Sequence, residues 1–510
     1  MKCKKIVFES FFLIAITILA SAQAFCQPLL IKLTLEKPVD YQNAISLGAV
    51  AYQRFEGFFL VELEGGKLEE LDQLGLKYQI IDENPWSEEY FLVSLVSRGM
   101  LEVNLDLYGK VLLKEERWAL LKTSKEKAFE LMKIRAYKVV PIFHKPIPLK
   151  YKPTFKLAKP ALTYSTTIDS LVNKVSQDSL RSWVQRLQNF KTRYSYSDSI
   201  VRARDWLYNK FVSFGIDSLW LHHYNWDSDQ YNVVATVVGT AQPDKVIVVG
   251  GHYDSVVYEE AGGNPFTWAP GADDNATGTA ATLEMARIIA QHPLPVTVMF
   301  VPFAQEEQGL IGSFYFAEYL HNQGTNVELM INSDMIAHSV DSDPDVIILA
   351  SPSAMDFVNV MMAMGRVYTD LRPVYGGQSS GSDHYSFYQW GYDALFAHEG
   401  DFFYAGWHTN YDLVDSLNFS YMKEVVKMCF ATLIFASTPH PSPVENLQAR
   451  DDGNGHTIYL SWSANPPGEN VVYYKVNFGL TSGHYDSIRQ VYATSEAIPC
   501  VIWSQIPLTI

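Results

Sequence analysis

"KVIVVGGHYDS", Lys245–Ser255, is an unbroken apolar run that ends in two glycines, a histidine and an aspartate. A run without polar alternation is what a strand covered on both faces needs. Its polar residues arrive together, where the strand should stop. The pattern recurs in "NVVATVVG" (Asn232–Gly239), "VTVMFVPFA" (Val296–Ala304), "VELMINSD" (Val327–Asp334) and "DVIILAS" (Asp345–Ser351). Helical stretches intervene, such as "TGTAATLEMARIIAQH" (Thr277–His292), and two amphipathic ones, "SLRSWVQRLQNF" and "VRARDWLYNKFVSFG", come first. Strands alternating with helices from 166 to 437 predict an α/β domain whose sheet is buried on both faces. In open sheets of this kind the ligand crevice lies at the carboxyl ends of the strands.

The polar clusters fall at those ends. "KVIVVGGHYDS" delivers His252 and Asp254. "GADDNATG" delivers Asp273 and Asp274 just before a helix. "VTVMFVPFAQEE" ends on Glu306 and Glu307, and "VELMINSD" on Asp334. A Gly- and aromatic-rich loop, "GWHTNYD", carries His408 and Asp412. Singly, each has a plain structural reading: a hydrogen-bonded strand-end histidine, an acidic helix cap, a solvated turn. Together they are hard and borderline ligands with no cysteine, a set suited to catalytic zinc. Charge makes the set coherent. Two divalent cations would be balanced by Asp274, Glu307, Asp334 and one hydroxide, whereas the same carboxylates without metal would repel one another.

The rest of the 510-residue chain frames this domain. "MKCKKIVFESFFLIAITILASAQAFCQ" has a Lys-rich start, an apolar stretch and small residues, and residues 1–24 read as a secretory signal peptide. No later stretch is long and apolar enough to span a bilayer. A secreted or periplasmic location is therefore expected. The formal net charge is −16, which argues against nucleic acid as a partner. Cys429 lies in an apolar helical run and reads as a buried thiol, and no disulfide framework is present. Residues 28–138 mix strand-like and helical pieces, an α+β region that is either accessory or a pro-region. Residues 139–165, "VVPIFHKPIPLKYKPTFKLAKPALTYS", read as an extended Pro- and Lys-rich linker. From Gly109 to Pro160 Lys and Arg outnumber Asp and Glu, against the trend of the chain. That basic stretch either covers an acidic catalytic mouth or is solvated. Residues 442–510 alternate apolar and polar residues as half-buried strands do.

In order along the chain, "GGHYDS", "GADDNATG", "EEQGLIGS", "NSDMI", "SGSDHYSF" and "WHTNYD" resemble the zinc metallopeptidase family of bacterial leucyl aminopeptidases, aminopeptidase Y and glutamate carboxypeptidase. The resemblance covers most of 166–437. It implies a three-layer sandwich with a mixed, mostly parallel central sheet, and two Zn2+ ions. By this likeness His252 and Asp334 bind one zinc, Glu307 and His408 the other, and Asp274 bridges both. Asp254 orients His252, and Glu306 is the general base. Asp383 and His384 fall near the substrate pocket. Trp407 stands where some members carry a transition-state tyrosine. "PSPVENLQA", "YLSWSANP" and "VYYKVNFG" resemble the opening strands of a fibronectin type III module, which implies a partial C-terminal β-sandwich and an extracellular ligand for it.

The implied reaction is hydrolysis of peptides or proteins by water held between two zinc ions. An aminopeptidase is the first expectation, because Arg366 and Arg372 are the only arginines between Asp334 and His408 and a carboxypeptidase needs cations for the substrate carboxylate. Glutaminyl cyclase, which works with one zinc, is the other alternative.

Overall fold

The computed structural model describes residues 27–95, 104–134, 136–152, 164–258, 262–339, 344–400, 404–438, 444–451, 457–465, 474–478, 487–491, 495–499 and 508–509. The expected signal peptide lies outside these residues. The described residues up to 436 form one compact unit, and those from 437 on form a second.

A single strand order is used twice at the start of the first unit. The first copy runs β1 (Pro28–Leu33), helix Pro38–Ser46, β2 (Val50–Phe55), β3 (Phe58–Glu64), helix Leu68–Gln73 and β4 (Tyr78–Asp82). Its antiparallel sheet has the order β2-β3-β1-β4. The second copy has β5 (Glu89–Leu95), β6 (Lys110–Lys114), β7 (Trp118–Thr123), helix Lys125–Met132 and β8 (Tyr137–Ile142), in the equivalent order β6-β7-β5-β8. The first copy is a split βαβ arrangement, and the second repeats its strand order. The linker expected from 139 therefore starts too early, because residues 139–142 finish β8. Pro141 is tolerated there because β8 is an edge strand, where a missing N–H leaves no ladder bond unmade.

The large sheet follows: β9 (Ser218–Asn225), β10 (Asp229–Val237), β11 (Gln242–His252), β12 (Val296–Phe303), β13 (Asn326–Ser333), β14 (Asp345–Ala350), β15 (Arg372–Gly377) and β16 (Ala394–Glu399). Its order is β15-β14-β16-β13-β11-β12-β10-β9. The central run β12-β11-β13-β16 is parallel, and β14 pairs antiparallel with β16 as β10 does with β12. Val246 to His252 are buried without a break, so both faces of β11 are covered and the fold is three-layered. From β11 the chain crosses through helix Gly278–Gln291 to β12 on one side. It then crosses through helix Ile311–Asn322 to β13 on the other. The two crossovers run in opposite directions across the sheet, and a crevice opens at the carboxyl end of β11. His252 is the last residue of that strand. Cys429 is fully buried, and burial pushes its thiol up to about 12.

In the second unit, Gln448–Asp451, Thr457–Ser461 and Ser495–Pro499 form one antiparallel sheet, and Ser487–Val491, Tyr474–Phe478 and Leu508–Thr509 another. Leu460, Trp462, Val476 and Val491 close a small core between them. Among the described residues no helix is long and apolar enough to cross a membrane.

Candidate metal centre

Three strand ends, one loop and one turn converge at the crevice. His252 closes β11, Glu306 and Glu307 follow β12, Asp334 follows β13, and His408 arrives on the segment after β16. Asp274 enters from the turn before helix Gly278–Gln291. That turn sits hard against β13: a Cβ on Gly278 would fall 1.9 Å from the Ser333 carbonyl oxygen, so only glycine fits.

The two carboxylate oxygens of Asp274 face opposite ways. Oδ1 lies 3.1 Å from His252 Nε2, and Oδ2 lies 2.8 Å from His408 Nε2. Asp334 Oδ1 is 3.5 Å from His252 Nε2, and Glu307 Oε2 is 2.9 Å from His408 Nε2. The result is two donor groups with one shared carboxylate. His252 Nε2, Asp334 Oδ1 and Glu307 Oε1 are buried without a hydrogen-bond partner. Three converging side chains with buried, unpartnered ligand atoms are what a metal site presents. Glu306 Oε2, at 3.8 Å from His252 Nε2, is also close enough to join a metal-binding group with His252 and Asp334. Both of its oxygens, however, are engaged at 2.6 Å by the Lys138 ammonium from β8.

Electrostatics make the same point. Burial pushes Glu307 up, with Asp274 adding to it, and burial pushes Glu306 well up against the pull of Lys138 and His252. Asp274 goes the other way: despite burial, His408 and His252 hold it well below the carboxylate range. Burial opposes the charging of His408, but Glu307 and Asp274 outweigh it and hold the imidazole at about 9. Carboxylates packed this tightly need cationic charge among them, and the donor set of carboxylates and imidazoles fits zinc.

Other residues hold the ligands in place. Asp254 Oδ1 accepts the backbone N–H of Glu306 and Oδ2 that of Glu307, both at 3.2 Å, and Ser195 Oγ donates to it at 3.1 Å. Its carboxylate also lies 3.4 Å from His252 Nδ1, which is nearer the Asp254 carbonyl oxygen, at 3.2 Å. Asp254 thus serves the glutamate turn at least as much as the imidazole it was expected to orient. Asp412 does the same for the other turn, accepting from Asp273 N at 2.8 Å and Asp274 N at 3.0 Å.

The structure also brings in residues with no sequence signal of their own. Ser382 Oγ donates to Asp334 Oδ2 at 2.7 Å. Asn232 Oδ1 accepts from Ala304 N at 3.0 Å and its amide donates to the Gly312 carbonyl at 2.8 Å, bracketing "QEEQGLI". Fully buried Arg193 donates to the carbonyls of Tyr253, Pro270 and Gly271, tying the His252 and Asp274 turns together. Burial lowers its guanidinium to about 10.

Asp383 and His384 open the short helix after Ser382 and are buried, so with the N-terminal lobes in place neither presents surface to a substrate. Burial raises Asp383 to about 7 and lowers His384 to about 3. Trp407 stacks on His408 with ring centres 4.0 Å apart, and its Nε1 donates to Asp274 Oδ2 at 2.6 Å. The indole therefore points at the shared carboxylate.

Residues 232–433 match the model of Peptidase family M28. A "Probable zinc metalloprotease" of Pyrenophora teres f. teres is 34% identical over 200 residues, covering 34% of this chain and 42% of that protein. One of Phaeosphaeria nodorum is 27% identical over 402 residues, covering 64% and 80%. The chain spans between 39% and 45% of the length of the first curated relatives it matches. Among solved structures, the Legionella pneumophila LapA aminopeptidase superposes with a TM-score of 0.56 at 19% identity, covering 69% of this chain and 98% of that one. LapB of the same organism gives 0.55 at 19% identity, covering 69% and 100%. At that identity the two structures establish the fold.

Proposed function

We propose that this chain, with its Peptidase family M28 domain, is an exported dinuclear zinc exopeptidase that removes N-terminal residues from peptides. The observation that carries the reading is the split of Asp274, one oxygen toward His252 and Asp334 and the other toward His408 and Glu307. These five residues would hold two zinc ions. When bound, such ions lower the pKa of water from about 15.7 toward ~7 and polarise a carbonyl oxygen. Glu306 then takes the proton of the attacking water and returns it to the departing amine, which breaks the C–N bond. Asp254 fixes Glu306 and Glu307 through adjacent backbone N–H groups, so that one side chain binds while its neighbour moves a proton.

Aminopeptidase is favoured over carboxypeptidase because the nearby cations are already committed. Arg193 spends its donors on backbone carbonyls, and Arg372 pairs with Asp345 at the surface. The C-terminal strands are read as a fibronectin type III-like segment that binds an extracellular ligand, and N-terminal sequencing of protein recovered outside the cell checks the expected cleavage after residue 24.

The deciding experiment assays the zinc-loaded full chain on free and N-acetylated peptides beside Glu306→Gln. Hydrolysis of free peptides, lost about 10²–10⁴-fold in the variant with zinc content unchanged, is expected. Preference for the blocked peptides would overturn the aminopeptidase reading. Cyclisation of N-terminal glutamine with one zinc per chain would replace it with glutaminyl cyclase.

A further inference from the structure

Glu306 does not face an open cleft. Lys138 Nζ lies 2.6 Å from both of its carboxylate oxygens and 3.3 Å from its carbonyl oxygen. The lysine side chain is 12% exposed and the glutamate side chain 2%. A charge-assisted contact to both oxygens is among the strongest a carboxylate makes. An ammonium facing both oxygens takes one lone pair on each and stabilises the charged form, so the carboxylate is a weaker base toward water until the ammonium leaves.

We propose that the two N-terminal lobes are a tethered inhibitor of the metal centre, with Lys138 on β8 as the residue that blocks it. The proposal rests on the reading of Glu306 as general base. Three further observations bear on it. First, the turn that carries the glutamates is shaped to β8. Gly309 sits at φ +109°, and a Cβ there would fall 2.5 Å from Pro141 Cδ and 2.8 Å from the Val139 carbonyl oxygen. Second, Leu310 shares one apolar cluster with Val140 and Ile142, so the strand is packed on the turn and does not merely pass it.

Third, the first lobe grips the short helix immediately after Ser382, which packs on the same turn through Ser386 Oγ, 3.3 Å from the Leu310 carbonyl oxygen. Gln53 Nε2 donates to Tyr385 OH at 2.9 Å, Arg54 N to Gln389 Oε1 at 2.7 Å, and Gln389 Nε2 back to the Arg54 carbonyl at 3.0 Å. The lobes therefore hold the glutamate turn and the helix packed against it while Lys138 reaches Glu306. A lysine that merely balanced stray charge would not need this fitted setting. The basic stretch noted in the sequence acquires a specific residue and a specific target.

The test uses the zinc-loaded full chain. Lys138→Met keeps the apolar stem and removes the charge, Lys138→Gln keeps a donor without the charge, and Lys138→Arg keeps both. Two readouts are taken: kcat/KM on free peptides, and the Kd of L-leucine hydroxamate, a zinc-binding probe that needs the same space. In Lys138→Met or Lys138→Gln, kcat/KM is expected to rise and the hydroxamate Kd to fall, each by roughly ten-fold or more, while Lys138→Arg stays close to the parent. Unchanged values, or a fall in kcat/KM, would overturn the proposal and make Lys138 a positioning residue. Tighter hydroxamate binding with no hydrolysis in any variant would sustain the blocking contact and sink the peptidase reading instead. If the neutral variants fail to fold, amine acylation of the parent protein decides. Lys138 should label far more slowly than Lys77, whose side chain is 80% exposed, and equal rates would overturn the contact.

Discussion

Asp254 accepts two successive backbone N–H groups with one carboxylate, and this decides what the most conservative change there does. In Asp254→Asn one oxygen becomes an NH2 group. A donor then faces the N–H of Glu306 or Glu307, and one of the two bonds is lost. The glutamate turn loosens without a large change in volume. Zinc affinity is expected to fall about 10–100-fold, the usual cost of removing support behind a ligand, and kcat/KM to fall with it. A chelator-competition titration measures the first directly, and unchanged affinity would show that the turn is held by something else. His252, Glu306, Glu307 and Asp334 stood out as candidates because each ends or follows a long apolar run, so that sequence pattern and spatial position coincide at the strand end. Arg193 and Ser382 did not. "NFKTRY" looks like any polar loop, "SGSDHYSF" reads only as lying near a substrate pocket, and only the folded chain shows that Arg193 is buried among three carbonyl oxygens and that Ser382 touches Asp334.

At the scale of elements, the apolar strands and intervening helices could be read directly, because burial on both faces demands continuous hydrophobic runs. The repeated N-terminal lobes could not. Their two copies share a strand order but no motif, and Pro141 at the edge of β8 read as linker chemistry. The antiparallel hairpin of β9 and β10 makes a testable point about stability. His222 on β9 is 6% exposed, accepts from Asn232 Nδ2 at 3.1 Å through Nδ1, and lies against Phe316 and Tyr319. Burial, helped by His223, lowers its pKa to about 4. Below an ordinary value of ~6.5 the unfolded chain takes up a proton that the folded chain refuses until about 4. This contribution is therefore present above pH ~6.5 and is lost as pH falls toward 4, on the order of 3 kcal/mol in all. Denaturant titrations of the parent and of His222→Gln from pH 7 to 4 should show the parent losing that much more stability than the variant. Parallel pH profiles would refute the assignment.

Across the first unit as a whole, charge is concentrated where it costs most. The chain carries a net charge of −16, and Asp254, Asp274, Glu306, Glu307 and Asp334 are gathered in one buried crevice with Asp273 and Asp412 behind them. Lys138 and Arg193 are the cations packed against this group. Burial pushes Glu306, Glu307 and Asp412 upward, so a centre without metal spends folding free energy on groups that resist ionising. Cations that bind the folded state alone return that energy by mass action, about 4 kcal/mol at a free concentration a thousand times Kd. Removal of metal by a chelator should therefore lower the melting temperature, and zinc should restore it with a stoichiometry of two per chain. The same change should register locally as faster amide exchange at Glu306, Glu307, Asp273 and Asp274 after chelation, because the two anchoring carboxylates then face turns no longer held from the front. Melting that ignores zinc would show that the lobes and the buried hydrogen bonds stabilise the crevice without it. A stoichiometry of one would leave Asp274 with an oxygen that has no cation to meet, contrary to its division between His252 and His408.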